Sequence, residues 1–421
     1  GHLTMSDNDT KTNEAPTRRD YVTYGGAVIG GGLLAGCVGQ SDSGSTPTET
    51  PTERSATDDS TTTETDTETD TPEDESYSVT MSPMGDVEFE SVPETAVSFD
   101  DQWVDHMVAL GQGDKLAGLG RPDGYFTAFY DRLPGVSFDT SDVEPIWGGD
   151  SVDSEILFEL DADVHHIDPL RAADSLDGLD EANVETITSE VGPFFANRGS
   201  RANNVPGGAD VEYEFYSLWE ILSKFAEVYQ VQDRSAALQS VRDEMVAGIR
   251  SNLPPEDERP TVAVAGFWKG EFYVYDPNKP GFGSAHYRPA QLVDALPDVA
   301  GYAASNWQSS PISVEAMLEA DPDVYISHNA VGSPEYYQDT ALPNMRDDPV
   351  ASQITAVQND RVYPGGLGLQ GPLFNLFQIE MTAKQVYPDL FGEYPGLREP
   401  VPEEEQLFDR QRVADIINGD I

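Results

Sequence analysis

The chain runs to 421 residues with 76 acidic against 24 basic side chains, a formal charge of −52 that repels nucleic acid and anionic membrane surfaces and removes both as partners. The acid excess is spread along the chain and Arg far outnumbers Lys, a halophilic pattern suited to molar salt, where a Debye length of ~3 Å screens self-repulsion. Cys37 is the single cysteine, so no internal disulfide forms and stability must come from packing.

From the N-terminus, Thr17, Arg18, Arg19, Asp20, Tyr21 and Val22 place a twin-arginine pair directly before an uncharged stretch ending at Gly36. This is the grammar of an export signal. The stretch is rich in Gly, whereas a spanning helix wants ~20 mostly apolar residues, so residues 1–37 read as a signal and not as a membrane span. Leu34, Ala35, Gly36 and Cys37 resemble a lipoprotein lipobox, with Cys37 the thiol to be acylated. Residues 38–76 are nearly all Ser, Thr, Glu, Asp, Pro and Gly, a composition that cannot bury a core and reads as a disordered tether.

The rest alternates short β-rich runs with helical patterns, the pattern of α/β lobes. Strands are expected at Ala96 to Phe99, Leu116 to Leu119 and Val164 to Ile167, then at Thr261 to Ala265, Phe272 to Tyr275, Val324 to Ser327 and Arg361 to Tyr363. Phe215, Leu218, Trp219, Leu222, Phe225 and Tyr229 form one helical stripe, and Leu238, Val241, Met245 and Ile249 form another. Asn252, Pro254 and Pro255 stop the second. The expected division is a first lobe at 77–231, a connecting helix at 232–252 and a second lobe at 253–421.

An internal repeat supports two related lobes. Trp147 precedes Glu155 by eight positions, as Trp307 precedes Glu315. Beyond them Glu159, Asp161, Asp163 and Val164 match Glu319, Asp321, Asp323 and Val324, each copy reading as loop, helix, tight turn, strand.

From Val92 to Phe391 the chain resembles the ferric siderophore and vitamin B12 binding-protein family, receptors of metal-chelate ABC importers. The resemblance rests on Val97 to Leu110 with Gly111, Asp114, Lys115, Leu116 and Gly118; on Ser154 to Val164 and Ser313 to Val324; on Ala356, Val357, Arg361, Val362 and Tyr363; and on Ala383, Lys384, Tyr387, Pro388 and Phe391. It implies two Rossmann-like α/β lobes joined by a single long helix, the class III periplasmic-binding-protein fold, with ligand in the interlobe cleft. With the lipobox and the acid excess, the expected protein is a lipid-anchored monomer of haloarchaeal type on the outer face of the membrane. Its partners would be a permease dimer with a cytoplasmic ATPase and a small-molecule metal chelate, with no cofactor. The expected cargo is a ferric siderophore, with cobalamin or haem as alternatives.

Such a cleft needs aromatic faces and a few directed polar groups. Trp147 and Trp307, each in a loop before an equivalent helix, are expected to face each other, unless each packs its own lobe. Arg121, Tyr125, Tyr287, Arg288 and Trp268 complete the aromatic and basic candidates. Arg171, Arg198, Arg201 and Lys269 are further loop cations in a chain short of them, each equally suited to a surface ion pair. His165, His166 and Asp168 cluster at a strand end, and His328 takes the place equivalent to Asp168. Adjacent histidines on a strand point to opposite faces, which favours core packing for His165 and a cleft position for His166 or His328 over a direct metal site. The resemblance carries permease-docking glutamates onto Glu155 and Glu315. No nucleotide-binding glycine pattern, nucleophile elbow, usable thiol or zinc-helix motif is present, so no catalytic residue is expected. A metal-dependent hydrolase built on His166 and Asp168 is the remote rival.

Overall fold

The computed structural model of the protein describes residues 76–297 and 311–421. The twin-arginine segment, Cys37, the tether and Trp307 lie outside the described residues.

In the first lobe four parallel strands lie in the order Glu144–Pro145, Leu116–Leu119, Ala96–Ser98 and Val164–His166. Ala96 stands opposite Val164 and Ser98 opposite His166, and His165 bridges onward to Phe194. Every residue of Ala96–Ser98 is buried, as a central parallel strand covered on both faces requires. An antiparallel hairpin, Tyr77–Met81 with Gly85–Phe89, precedes this sheet and buries alternate residues Val79, Met81, Val87 and Phe89.

The second lobe orders its strands Ile312–Ser313, Glu271–Val274, Thr261–Trp268, Val324–Ser327 and Val362–Pro364, with Val293–Asp294 along the start of Thr261–Trp268. Glu271–Val274 runs antiparallel to both neighbours; the pairings around Val324–Ser327 are parallel. Between the two sheets runs the helix Gln232–Asn252, whose 21 residues extend about 30 Å. Leu238, Val241, Met245, Val246 and Ile249 form its buried stripe.

The sequence repeat is a structural one. Helices Ser154–Leu160 and Val314–Ala320 both end on an aspartate in the left-handed region, Asp161 at φ 46° and Asp321 at φ 42°. Two residues on, Asp163 accepts from the backbone and hydroxyl of Thr95 at 3.0 and 3.1 Å, and Asp323 from those of Thr261 at 2.8 and 3.0 Å. Each aspartate thus ties the start of one strand to the start of its neighbour.

Residues past Gly371 touch both lobes: Gln385 Nε2 donates to Pro364 O at 2.8 Å and Arg361 Nη2 to Val386 O at 2.9 Å on the second sheet. Helix Pro372–Val386 is buried along its whole length. Asp105, on the first-lobe helix Asp101–Ala109, accepts the Phe374 N–H at 3.0 Å, and Trp219 Nε1 donates to Asn375 at 3.2 Å. The closing helix Arg410–Asn418 packs on Gln232–Asn252, where Arg234 donates to Leu110 O at 2.7 Å and Ile417 O at 3.1 Å. The architecture is two Rossmann-like α/β lobes joined by a long helix and clasped by the chain's last helices.

Candidate functional site

In an open parallel sheet, ligands bind beyond the carboxyl ends of the strands. In the first lobe those ends deliver Phe99 and Asp100, Arg121, Trp147, Asp168 with Arg171, and, past the bridged Phe194, Arg198. Trp147 is half-buried and sits edge-on to Phe99 at 5.6 Å, with the Arg121 guanidinium 5.3 Å from its ring centre. Arg171 stands 5.8 Å from the Phe99 ring.

Two buried aspartates organise the arginines. Asp168 caps helix Pro169–Ser175, one oxygen accepting from Leu170 N at 3.0 Å and Arg171 N at 3.3 Å. Its other oxygen accepts from Arg198 N at 2.8 Å and from the Tyr213 hydroxyl at 2.5 Å. Four donors occupy this carboxylate, which corrects the metal-site and hydrolase readings of Asp168: its oxygens are spent on holding the loop backbones and Tyr213. Asp100 lies within 3.4 Å of Arg171 Nε and 3.3 Å of Arg198 Nε.

Arg201 crosses to the second lobe. Its Nε donates to Gly368 O at 3.4 Å, and a Cβ on Gly368 would come within 3.1 Å of its Nη2. Gly281 holds φ 97°, and a Cβ there would sit 2.4 Å from Arg201 O, so only glycine fits that wall. Burial, with the charge of Arg198 nearby, pulls Arg201 down to about 10, leaving it cationic at neutral pH. On the second lobe, Tyr275 stacks on His328 at 3.8 Å, and the Tyr287 hydroxyl lies 3.0 Å from His328 Nδ1. Burial, helped by the Arg201 charge, pushes His328 down to about 3 and keeps it neutral.

Several sequence candidates stand elsewhere. His166 is fully buried in the first lobe, Nδ1 2.9 Å from Phe195 O, Nε2 2.8 Å from the Tyr229 hydroxyl, and its ring on Phe225 at 4.4 Å. It is a satisfied core histidine and not a cleft group. His165 is also buried, as expected, with Nδ1 3.2 Å from Gly192 O. Tyr125 is corrected in the same way: it is buried against Phe138 and Phe374, its hydroxyl 2.6 Å from that of Tyr130. Tyr287 is buried, its hydroxyl against His328. Arg288 spends Nη1 on Lys279 O at 3.1 Å and Gly281 O at 3.0 Å, which fastens the loop at Gly281 against which Arg201 O packs. Trp268 is 48% exposed at a hairpin tip, with Lys269 Nζ 4.1 Å from its ring centre. The residues that sequence reasoning passed over are Asp100, Phe99 and Tyr275. The first was lost among many acids; the other two were taken only as the ends of strands.

The arrangement can hold an anion. The partly exposed Arg171 and Arg198 and the buried Arg201 carry planar, charge-assisted donors, Arg171 beside the ring of Phe99.

Among curated proteins none matches the chain in sequence. Solved structures match it in fold. A periplasmic binding protein from Veillonella parvula superposes with TM-score 0.53 at 15% identity, covering 76% of this chain and 94% of its own. A periplasmic solute binding protein from Mycobacterium smegmatis gives 0.51 at 16%, covering 75% and 99%. The petrobactin-binding protein YclQ from Bacillus subtilis gives 0.50 at 14%, covering 82% and 99%. The sequence profile described as periplasmic binding protein matches residues 104–366, more than half of the chain. On that match and on its two-lobed architecture, the chain belongs to the periplasmic binding protein family.

Proposed function

We propose that the protein is the extracellular receptor of an ABC importer, capturing an iron(III)-siderophore with anionic donor oxygens between its lobes and handing it to the permease. Family membership makes it a solute-binding protein that holds a ligand and does not convert it, so the ligand is cargo and not a cofactor. One observation carries the anionic reading. In a chain of net charge −52, Arg171, Arg198 and Arg201 gather beside a single paired carboxylate, Asp100, where the lobes meet. A protein of the same fold binds petrobactin, which is consistent with cargo of this class. Trp147 supplies an aromatic wall for such a chelate.

Cys37 is read as the lipid anchor after twin-arginine export, with 38–76 as the tether. Glu155 and Glu315, both exposed in the first turns of equivalent helices, are read as the permease-docking pair.

The test is a tryptophan-emission titration of the protein in molar salt with a ferric tris-catecholate, a ferric tris-hydroxamate, cobalamin and haem. Quenching at lowest concentration by the tris-catecholate is expected. Tighter binding of cobalamin or haem would replace the siderophore reading with the corresponding receptor.

A further inference from the structure

Asp100 occupies the N-cap position of helix Asp101–Ala109, where an aspartate ordinarily accepts a backbone N–H of the first turn. Here its side chain makes no such bond. The carboxylate, 5% exposed, is turned instead toward two arginines that arrive from different loops. Oδ2 faces Arg171 Nε at 3.4 Å and Oδ1 faces Arg198 Nε at 3.3 Å. Both Nε atoms and Asp100 Oδ2 are buried without a hydrogen bond, so the contacts are ion pairs, while the two side chains remain 25% and 17% exposed. Neither arginine makes a side-chain hydrogen bond within the described residues. The backbones of the same two residues are pinned together by Asp168.

We infer that Asp100 is a positioning residue for ligand capture: its buried charge draws the Nε sides of Arg171 and Arg198 inward and thereby leaves their Nη donors to an anionic chelate. This rests on the reading of the cleft as an anion site. It reverses the naive electrostatic expectation. A carboxylate beside an anion site should repel the ligand, and removing its charge should tighten binding; a positioning carboxylate should do the opposite, because two flexible guanidinia lose the geometry that makes each a paired donor.

The experiment compares wild type with Asp100→Asn, which keeps shape and N-cap capacity. Both are titrated with a hexadentate ferric tris-catecholate of three negative charges and with an uncharged ferric tris-hydroxamate. Asp100→Asn is expected to weaken the anionic chelate by about tenfold or more, the scale on which orienting partners act, with the uncharged one little changed. In an Arg171→Gln, Arg198→Gln background the same substitution should have no further effect on the anionic chelate. Unchanged or tighter anionic binding by Asp100→Asn, or an equal loss in the arginine-free background, overturns the positioning role. If Asp100→Asn does not fold, Arg171→Lys with Arg198→Lys carries the test. It retains the charge and loses the two-edged guanidinium, and wild-type affinity in that variant would equally overturn the inference. If wild type binds neither chelate, the anion-site reading itself fails and the positioning role falls with it.

Discussion

Trp147 shows how one residue can serve two ends. Its edge contact with Phe99 and its packing on the first-lobe cluster around Val97, Ile146 and Leu157 make it part of a core. The same ring meets Arg121 and stands at the strand-end rim. If it walls the cleft, Trp147→Ala should cost the bound chelate ~2 kcal/mol, about 30-fold in affinity, read by titration with a ferric tris-catecholate. Unaltered affinity with a lowered melting temperature would make it a packing residue alone. The position of this residue was legible from its spacing to Glu155. The arginines were legible only as scarce loop cations, because which of them converge depends on strand order. Asp100 was not legible at all: its local setting predicts a helix cap, and its side chain departs from that setting to reach two arginines about seventy and one hundred residues away in sequence.

Among elements, the paired helices Ser154–Leu160 and Val314–Ala320 carry the repeat into three dimensions, though their caps differ. Asp153 caps the first through Glu155 N at 3.0 Å, and Ser313 caps the second through Ala316 N at 3.2 Å. Capping is therefore assigned to other residues, and the exposed carboxylates of Glu155 and Glu315 are free of it. Their first-turn placement is favoured by the positive end of each helix. Replacing both by Gln should abolish chelate uptake by cells while leaving the affinity of the purified protein within about twofold, since neither touches the strand-end arginines. Parallel loss of affinity, measured in the same titration, would count against docking.

For the molecule as a whole, the decisive contact is the clasp of helix Pro372–Val386 on the first lobe. At its centre Asp105 is fully buried, accepting from Phe374 N and from the Tyr130 hydroxyl at 2.9 Å. Burial holds Asp105 up at about 7, against ~3.9 for an unfolded aspartate. The folded chain then binds a proton that the unfolded chain releases between those values. Its stabilising contribution is complete below about pH 4 and is lost as pH rises through about 7. Asp105→Asn should remove this slope, so that the difference in melting temperature between variant and wild type changes steadily from pH 4 to 7 and flattens above. A difference independent of pH would refute the role. Asp101 and Asp294, each raised by burial to about 6, remain in both proteins and cancel in the comparison.

By itself the sequence determined what short-range physics can write: alternating β and helical periods, the apolar stripe of the long helix, and the acidic turn signals that repeat once per lobe. The net charge of −52 is likewise a property of the sequence alone. These features act over a turn or a strand, where neighbours in sequence are neighbours in space. Only the tertiary structure decided that His166 and Tyr125 face inward, that Arg288 fastens a loop, that Arg171, Arg198 and Arg201 meet around Asp100, and that Tyr275 stacks on His328. Those meetings join strand ends and loops brought together by parallel pairing. Parallel pairing sets residues far apart in the chain side by side, through crossovers whose paths no local pattern records.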